Sequence, residues 1–403
     1  MTAFGIAASR IVTCDPHLPG ALGVLDDGVV VIDGERLAYV GPRSGAPAVA
    51  IEDVGDGVVT PGLVDAHTHA CWAGSRHAEY DARMRGADYL AIARAQGGIH
   101  ATHAAVAAAD EAALEAELVA RLRRMAGLGV TTVEVKSGYG LDEVHERKQL
   151  AVIRRAAAHA GVPAVVPTFL ALHALPPGVN DARARAAFVA RVAGEVVPAV
   201  AAEGLARFVD AYVDEGAFTV GEARDVGRAA RAAGLGVRLH VGQFADVGGA
   251  ELAAELGAAS ADHLEHASPA AIEALARAGV SAVLLPTASF TLAQPPPPVG
   301  ALRAAGVPLV VASDANPGTA PTESLPLAMA LAVRLYGLTS EEALLGATRV
   351  AAASLRLPDR GVLRAGARAD VVAWDLPHEQ AIVQPWGTSK TRATWIGGRR
   401  RTA

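Results

Sequence analysis

Short apolar segments alternate with alanine-rich segments over most of this chain, from about residue 59 to residue 365. Such apolar segments have the length of strands buried on both faces, and the alanine-rich segments have the length of helices. Eight strands alternating with helices predict an α/β fold, a parallel (β/α)8 TIM-like barrel; a doubly wound open sheet is the alternative on pattern alone. The predicted strands are Gly62–Ala66, Thr131–Lys136, Ala164–Leu170, Phe208–Tyr212, Gly236–His240, Ala261–His263, Ala282–Leu285 and Leu309–Ser313. The predicted helices include Ala108–Ala126, Glu143–Ala160, Asp181–Ala202, Thr219–Ala233 and Pro269–Ala278.

The two ends of the chain have a different pattern, made of short strands and turns. Asp33-Gly34 separates two apolar runs, which indicates a β-hairpin. We expect residues 1–58 and 366–403 to pair into one small composite β domain, beside a barrel formed by residues 59–365. The predicted strands of the composite domain include Val29–Ile32, Leu37–Val40, Asp370–Trp374 and Ala393–Ile396.

Composition and charge narrow the class of protein. Hydrophobic residues make up 51% of the 403 residues, so the chain can bury a sizeable core. The net charge of −6 gives no basic surface for nucleic acid or anionic membranes. Cys14 and Cys71 form no disulfide framework, and apolar runs such as Val130–Val135 are too short to span a bilayer. We expect no signal peptide and a cytoplasmic location.

Side chains that bind metals occur where several predicted strands end. His67 and His69 follow the first strand at an i, i+2 spacing, which places both imidazoles on one side of an extended chain. His240 ends a later strand, and Asp314 follows the last one. In a closed barrel these ends meet at one rim, where (β/α)8 enzymes keep their chemistry. Three imidazoles and a carboxylate suit Zn²⁺ or Fe²⁺, and such a metal makes water nucleophilic at neutral pH.

Several segments resemble a known family. The runs Pro61–His69 and Ala365–Asp370 resemble the first-strand motif of the amidohydrolase superfamily and its return into the β domain. Within that superfamily the chain is most similar to the imidazolonepropionase family of histidine degradation, in family order and over nearly the whole chain. The segments that carry this closer similarity are Val133–Leu141, Ala171–Pro177, Ser260–Glu265 and Ser313–Thr319.

The resemblance implies a reaction and a set of partners. The reaction is hydrolysis of the ring amide of 4-imidazolone-5-propanoate to N-formimidoyl-L-glutamate by a metal-activated water. One Zn²⁺ or Fe ion per subunit, a small-molecule substrate and a homodimer are implied with it. Another cyclic-amide hydrolase or an amino-heterocycle deaminase of the superfamily is the alternative, and a non-catalytic scaffold is a third hypothesis. Only deamination releases ammonia, and only a scaffold lacks the metal.

The resemblance also implies residue roles. Asp314 acts as the general base, His263 orients the attacking water, and His173 helps to polarise the ring carbonyl. Arg76 holds the propionate, because its planar fork suits a carboxylate. The implied metal ligands are His67, His69, His240 and Asp314. The implied contacts with the rest of the substrate are Tyr139, His173, Gln243, Asn316, Gly318 and Thr319.

Some positions depart from the family pattern. Gly242 stands where many relatives have an acid, and some relatives have Glu in place of Gln243. Ala315 stands where Cys is common, and the segment from Thr287 to Phe290 and Gln96 also differ. These positions concern the pocket wall more than the metal. Two further residues are close in sequence to the motifs: we interpret Lys136 as a structural or pocket lysine and Cys71 as a small buried thiol.

Overall fold

Eight parallel strands form a nearly closed barrel in the computed structural model, which describes residues 2–86 and 97–401. The strands pair in chain order from β6 to β13. A parallel bridge between Thr68 and Ala315 joins the first and the last strand just beyond their carboxyl ends. The observed architecture is therefore the barrel and not the open sheet. All eight predicted barrel strands are present. They are β6 (Leu63–Asp65), β7 (Val130–Lys136), β8 (Ala164–Leu172), β9 (Phe208–Val213), β10 (Gly236–Val241), β11 (Ser260–His263), β12 (Ser281–Leu284) and β13 (Leu309–Val311).

Helices follow the barrel strands, and several begin at a side-chain cap. Asp110, Asp142 and Asp181 each accept an amide N–H from the first turn of the helix that follows. The described helices are α1 (His77–Met84), α2 (Ile99–Ala108), α3 (Glu111–Gly127), α4 (Glu143–Ala156), α5 (Ala182–Arg191), α6 (Val197–Ala202), α7 (Val220–Ala232), α8 (Gly249–Glu255), α9 (Pro269–Ala278), α10 (Pro286–Leu292), α11 (Val299–Ala304), α12 (Leu325–Tyr336), α13 (Ser340–Gly346) and α14 (Arg349–Ser354). Short 3₁₀ turns cover Arg43–Gly45 and Glu379–Val383.

One predicted helix is not continuous. The sequence predicts a single helix over Asp181–Ala202, whereas α5 and α6 are separated by a π-helical turn at Val192–Val196. Pro198 follows this turn and has no amide hydrogen to donate. A continuous α-helix requires that hydrogen bond, so the chain widens into a π turn just before the proline.

The remaining strands form a second sheet from both chain ends, as predicted. Its order is β16-β15-β14-β5-β1-β2-β3, with β4 beside β1. The hairpin predicted at Asp33-Gly34 joins β2 and β3, and Gly34 takes the left-handed conformation that such a turn needs (φ 58°). The strands are β1 (Phe4–Val12), β2 (Val24–Asp33), β3 (Arg36–Pro42), β4 (Ala50–Asp53), β5 (Val58–Pro61), β14 (Val371–Trp374), β15 (Thr391–Ile396) and β16 (Arg399–Arg400).

This terminal sheet has its own apolar core, which includes Ile6, Ile11 and Trp395. We propose the division into residues 1–58 with 366–403 and residues 59–365, with β5 as the segment where the chain passes into the barrel. Among the described helices, none combines the length and the apolar character that a bilayer-spanning segment needs. The polar residues predicted to form the site lie at or beyond the carboxyl ends of the barrel strands.

Candidate active site

Three histidines converge at the carboxyl end of the barrel. His67 and His69 follow β6 and His240 lies in β10, and all three are buried. Nε2 of His69 lies 3.3 Å from Nε2 of His67 and 3.2 Å from Nε2 of His240. Asp314 lies at the side of this histidine triad, with Oδ1 3.5 Å from Nε2 of both His67 and His69. The structure thus brings together the four predicted ligands, with the three imidazoles as the compact group.

Carboxylates behind the triad fix two of its rings. Asp262 Oδ2 lies 2.7 Å from Nδ1 of His67, and Asp210 Oδ1 lies 3.1 Å from Nδ1 of His240. Each carboxylate therefore holds a proton on Nδ1 and leaves Nε2 as the lone-pair donor facing the other rings. Two of the histidines predicted to bind the metal are thus already oriented without a metal ion.

The charge state of the triad suits a cation. Burial and the positive charge of Lys136 lower the pKa of His67 well below its ordinary value, and burial with the nearby His240 does the same to the pKa of His69. Neutral imidazole is the form that binds metals. The Nε2 lone pairs that His67 and His240 present both face Nε2 of His69, at 3.3 and 3.2 Å. The donor set therefore fits a metal ion such as Zn²⁺.

A buried ion cluster lies beneath the triad. Lys136 Nζ donates to Glu134 Oε1 at 2.8 Å and to Asp210 Oδ2 at 2.7 Å, and all three side chains are inaccessible to solvent. Glu134 Oε2 also accepts the amide N–H of Thr68, between the two strand-end histidines. Lys136 therefore acts structurally, through the carboxylates, and does not line the cleft.

A cleft opens above the triad. It brings together most of the residues predicted to contact the substrate, whereas His67 lies below it and Gly318 lies behind Arg76. Two residues absent from the predictions, Ile99 and Tyr212, also line it. The lining residues are His69, Arg76, Ile99, Tyr139, His173, Tyr212, His240, Gln243, His263, Asp314, Asn316 and Thr319.

Arg76 is held from two sides. Its Nε donates to Glu79 Oε2 at 2.8 Å and its Nη2 donates to Glu79 Oε1. Glu79 also accepts the amide N–H of Gly98 at 3.0 Å, so it is itself fixed. On the other side, a β-carbon on Gly318 would lie 2.2 Å from Nη1 of Arg76, so only glycine leaves room for the guanidinium. Arg76 is thus a rigid cation at the cleft wall.

His173 and Gln243 are oriented by neighbouring loops. His173 Nδ1 donates to the carbonyl of Gly138 at 2.7 Å. Burial lowers the pKa of His173 to about 3, so its ring is neutral at physiological pH. Gln243 Oε1 accepts from the hydroxyl of Tyr212 at 3.1 Å. Asp214 holds the Gln243 loop, because its carboxylate accepts the amide N–H groups of residues 243–245 at 2.7–3.0 Å.

Asn316 organises the loop after the last strand. Its Oδ1 accepts the amide N–H groups of Gly318 and Thr319 at 2.8 and 2.7 Å. Its Nδ2 donates to the carbonyl of Asp314 at 2.7 Å. Both ends of the amide are used within the loop, so Asn316 positions the wall residues around it.

Several positions that depart from the family pattern have defined places in the structure. Gly242 has φ 64°, a left-handed conformation that glycine adopts without strain. Thr287 Oγ1 donates to the carbonyl of Ser313 at 2.5 Å, and the carbonyl of Ala315 accepts the amide N–H of His69. Cys71 is fully buried, and burial raises the pKa of its thiol to about 12, as expected of a packing residue. Gln96 lies outside the described residues.

Comparisons with known proteins identify the family. Residues 82–401 match the model of the amidohydrolase family. An imidazolonepropionase of Xanthomonas oryzae pv. oryzae (strain PXO99A) is 46% identical over 384 residues, which cover 94% of each chain. The imidazolonepropionase of Acidiphilium cryptum (strain JF-5) is 47% identical over 91% of this chain and 92% of the relative. The chain belongs to the imidazolonepropionases of the amidohydrolase family. It is therefore a hydrolase.

A solved structure shows the same fold. An adenosine deaminase from Xanthomonas campestris superposes with a TM-score of 0.74 at 21% identity, covering 98% of this chain and 92% of that one. At this level of identity the similarity concerns the barrel and the terminal sheet, not the reaction. The family membership thus comes from the sequence relatives, and the architecture agrees with it.

Several residues of the site were not predicted from the sequence. Glu79, Asp210 and Asp214 each hold a predicted residue through hydrogen bonds. Asp262, within the motif segment Ser260–Glu265, holds His67 in the same way. A signal existed for two of them, because Asp210 and Asp262 lie within predicted strands, where a buried carboxylate needs a buried partner.

Proposed function

We propose that this protein hydrolyses the ring amide of 4-imidazolone-5-propanoate and releases N-formimidoyl-L-glutamate, a step of histidine degradation. The observation that carries the proposal is the 46% identity to an imidazolonepropionase over 94% of both chains. The cleft supports it, because a histidine triad suited to a hydrolytic metal and a buried arginine suited to a carboxylate line the same cavity.

The proposed cofactor is one Zn²⁺ or Fe ion per subunit, held by His67, His69, His240 and Asp314. The converging Nε2 atoms and the carboxylates behind them support this set. The structurally similar adenosine deaminase was solved with bound zinc. When bound, such an ion supplies Lewis-acid activation of water and of the ring carbonyl.

Asp314 and His263 carry the proton transfer in this proposal. Burial raises the pKa of Asp314 to about 6, although the charge of His263 opposes the shift. A carboxylate with a pKa near neutrality can take a proton from the attacking water and return it to the leaving ring nitrogen. His263, whose ring centre lies 5.6 Å from that of His240, orients the water.

The contacts of His173 favour a different role from the one that the sequence predicts. Its Nδ1 proton is donated to Gly138, and the ring is neutral, so Nε2 carries a lone pair. A lone pair cannot donate a hydrogen bond to the ring carbonyl oxygen. We therefore assign His173 to an N–H of the substrate ring, as an acceptor that fixes the ring's orientation.

Arg76 anchors the propionate in this proposal, and Tyr139, Gln243 and Thr319 form the wall beside the ring. Glu79 and Gly318 hold the guanidinium still, so little rotamer freedom is lost when a carboxylate binds. The binding energy of the tail then positions the ring amide against the reacting groups.

We also propose a cytoplasmic location, since both cysteines are buried free thiols. A homodimer stays a prediction from the family resemblance.

The test is an assay of the purified, zinc-loaded or iron-loaded protein with 4-imidazolone-5-propanoate. We expect loss of the ring chromophore and formation of N-formimidoyl-L-glutamate without ammonia. Release of ammonia from an amino-heterocycle, with the imidazolone left intact, would instead establish a deaminase. No turnover of either substrate by fully metal-loaded protein would contradict the proposed reaction.

A further inference from the structure

Two buried polar atoms face each other behind the cleft. Nδ1 of His263 lies 3.7 Å from Oε2 of Glu265, and both side chains are almost inaccessible to solvent. Neither atom has a hydrogen-bond partner among residues 2–86 and 97–401. Buried polar atoms are rarely left unpaired, and these two lie close to each other. Two lone pairs in this arrangement would repel, so Nδ1 must carry a proton.

The backbone at the end of β11 brings the two side chains together. His263 and Leu264 have φ of 81° and 71°, which is the left-handed region that non-glycine residues rarely adopt. Two hydrogen bonds hold this turn: the Leu264 amide donates to Val241, and the His266 amide donates to Gly242. Consecutive strained residues persist only where the surroundings fix them, and such strain clusters at functional sites.

A chain of hydroxyl groups fixes the other oxygen of Glu265. Ser289 Oγ lies 2.7 Å from Glu265 Oε1, and the hydroxyl of Tyr336 lies 2.6 Å from Ser289 Oγ. An ionised carboxylate only accepts, so Ser289 donates to Glu265, and Tyr336 must then donate to Ser289. Burial raises the pKa of Tyr336 well above its ordinary value, so the phenol keeps the proton that this direction requires.

We propose that Glu265, held by Ser289 and Tyr336, is the positioning residue of His263 and keeps a proton on its Nδ1. The imidazole then has its other nitrogen, Nε2, on the side away from Glu265, toward the cleft. In the neutral ring Nε2 is an acceptor for an O–H of the attacking water. This last point rests on the proposed function, whereas the proton on Nδ1 does not.

The direction of the hydroxyl chain makes Glu265→Gln informative. In the variant, reversing the hydroxyl chain would take from the buried Tyr336 phenol the acceptor that it has in the structure, Ser289 Oγ, so Tyr336 keeps donating to Ser289 and Ser289 keeps donating onward. The new amide must then turn its carbonyl oxygen to Ser289 and its NH₂ group to His263. An NH₂ group is a donor, so Nδ1 must become the acceptor and the proton must move to Nε2. Adding Ser289→Ala removes this constraint, and the amide can turn its oxygen back to His263.

The experiment is nitrogen-15 NMR of the zinc-loaded, full-length protein labelled at histidine, with the His263 signals assigned by their loss in His263→Gln. We expect a proton on Nδ1 in the wild type, on Nε2 in Glu265→Gln, and on Nδ1 again in Glu265→Gln with Ser289→Ala. The kcat of the single variant should fall about 10- to 100-fold, the scale for carboxylate partners of metal-bound histidines. KM and metal content should stay unchanged, and the double variant should regain part of the kcat.

The matched control is Glu273→Gln, which only breaks an exposed ion pair with Arg277. It should change neither the protonated nitrogen nor kcat. A wild-type His263 with its proton on Nε2 alone would overturn the inference, and this measurement needs no variant to fold. The same protonated nitrogen in Glu265→Gln as in the wild type would overturn it as well. The NMR measurement needs no substrate. Failure of imidazolone hydrolysis would therefore count against the proposed function but would not decide which nitrogen of His263 is protonated.

Discussion

The histidine triad and the substrate-facing wall of the cleft are built in opposite ways. His67, His69 and His240 lie at the ends of barrel strands, and closure of the barrel brings their side chains to one rim. Arg76, Asn316 and Thr319 lie outside the strands and are held by hydrogen bonds within their own loops, Arg76 to Glu79 and Asn316 to Thr319. A barrel thus keeps its metal chemistry on rigid strand ends and places substrate recognition on connections that can vary.

Substitution of a triad histidine should have the largest effect on metal binding and turnover. We expect His67→Ala or His240→Ala to remove bound metal and turnover together, since each change deletes one of three converging ligands and leaves a carboxylate without its partner. Elemental analysis and the imidazolone assay measure both effects. His266→Ala is the control, because this exposed histidine lies near the same rim. Full metal content with full turnover in either variant would remove that histidine from the ligand set.

Asp314 lies beside the triad and also lines the cleft, so its substitution tests both regions. Asp314→Asn should lower kcat by at least about 100-fold, the lower range for loss of general acid–base catalysis. The residue has φ 55°, and asparagine tolerates this conformation, so the change adds little backbone strain. Steady-state kinetics with metal added to saturation separate loss of the base from loss of the ion. Turnover close to the wild-type rate would rule out the proposed proton transfer.

Substitution of Arg76 tests how the cleft wall recognises the substrate. Arg76→Met should raise KM about 10- to 100-fold with metal content unchanged, because a charge-assisted pair contributes roughly 1.5–3 kcal/mol. Arg76→Lys should recover only part, since lysine lacks the planar fork.

Part of the effect of Arg76→Met comes from Glu79, whose carboxylate would then face the substrate tail without its cation. The double change Arg76→Met with Glu79→Gln should therefore have a lower KM than Arg76→Met alone. An unchanged KM in Arg76→Met would place the propionate elsewhere in the cleft.

Substitution of Gly318 should give the smallest change in KM. The β-carbon of Gly318→Ala would meet the Arg76 guanidinium at 2.2 Å and push it off its rotamer, at a cost of about 0.5–1.5 kcal/mol. We expect KM to rise roughly 2- to 10-fold while kcat and metal content hold. Gly300→Ala is the control, since a β-carbon there meets no atom within 4 Å. Equal KM values for both variants would mean that Gly318 does not fix the arginine.

The strands and the triad could be predicted because their signals are local. Buried parallel strands are continuous apolar runs, and an i, i+2 histidine pair needs no knowledge of the rest of the fold. The interruption before Pro198 also has a local signal, because proline lacks an amide hydrogen, although the alanine-rich pattern predicts a continuous helix there. Glu265 was not predictable in the same way, because its role depends on Ser289 and Tyr336, which lie in the distant helices α10 and α12.

Titration of the metal-free protein tests whether the histidine triad holds a single catalytic metal ion. After chelation and dialysis, Zn²⁺ or Fe²⁺ is added back in steps while hydrolysis of 4-imidazolone-5-propanoate is followed. We predict no hydrolysis without metal and a linear rise in hydrolysis that ends at one equivalent of metal per subunit, with no response in His240→Ala. Full hydrolysis by protein shown to contain no metal, or a rise that continues to two equivalents, would contradict a single ion held by the histidine triad.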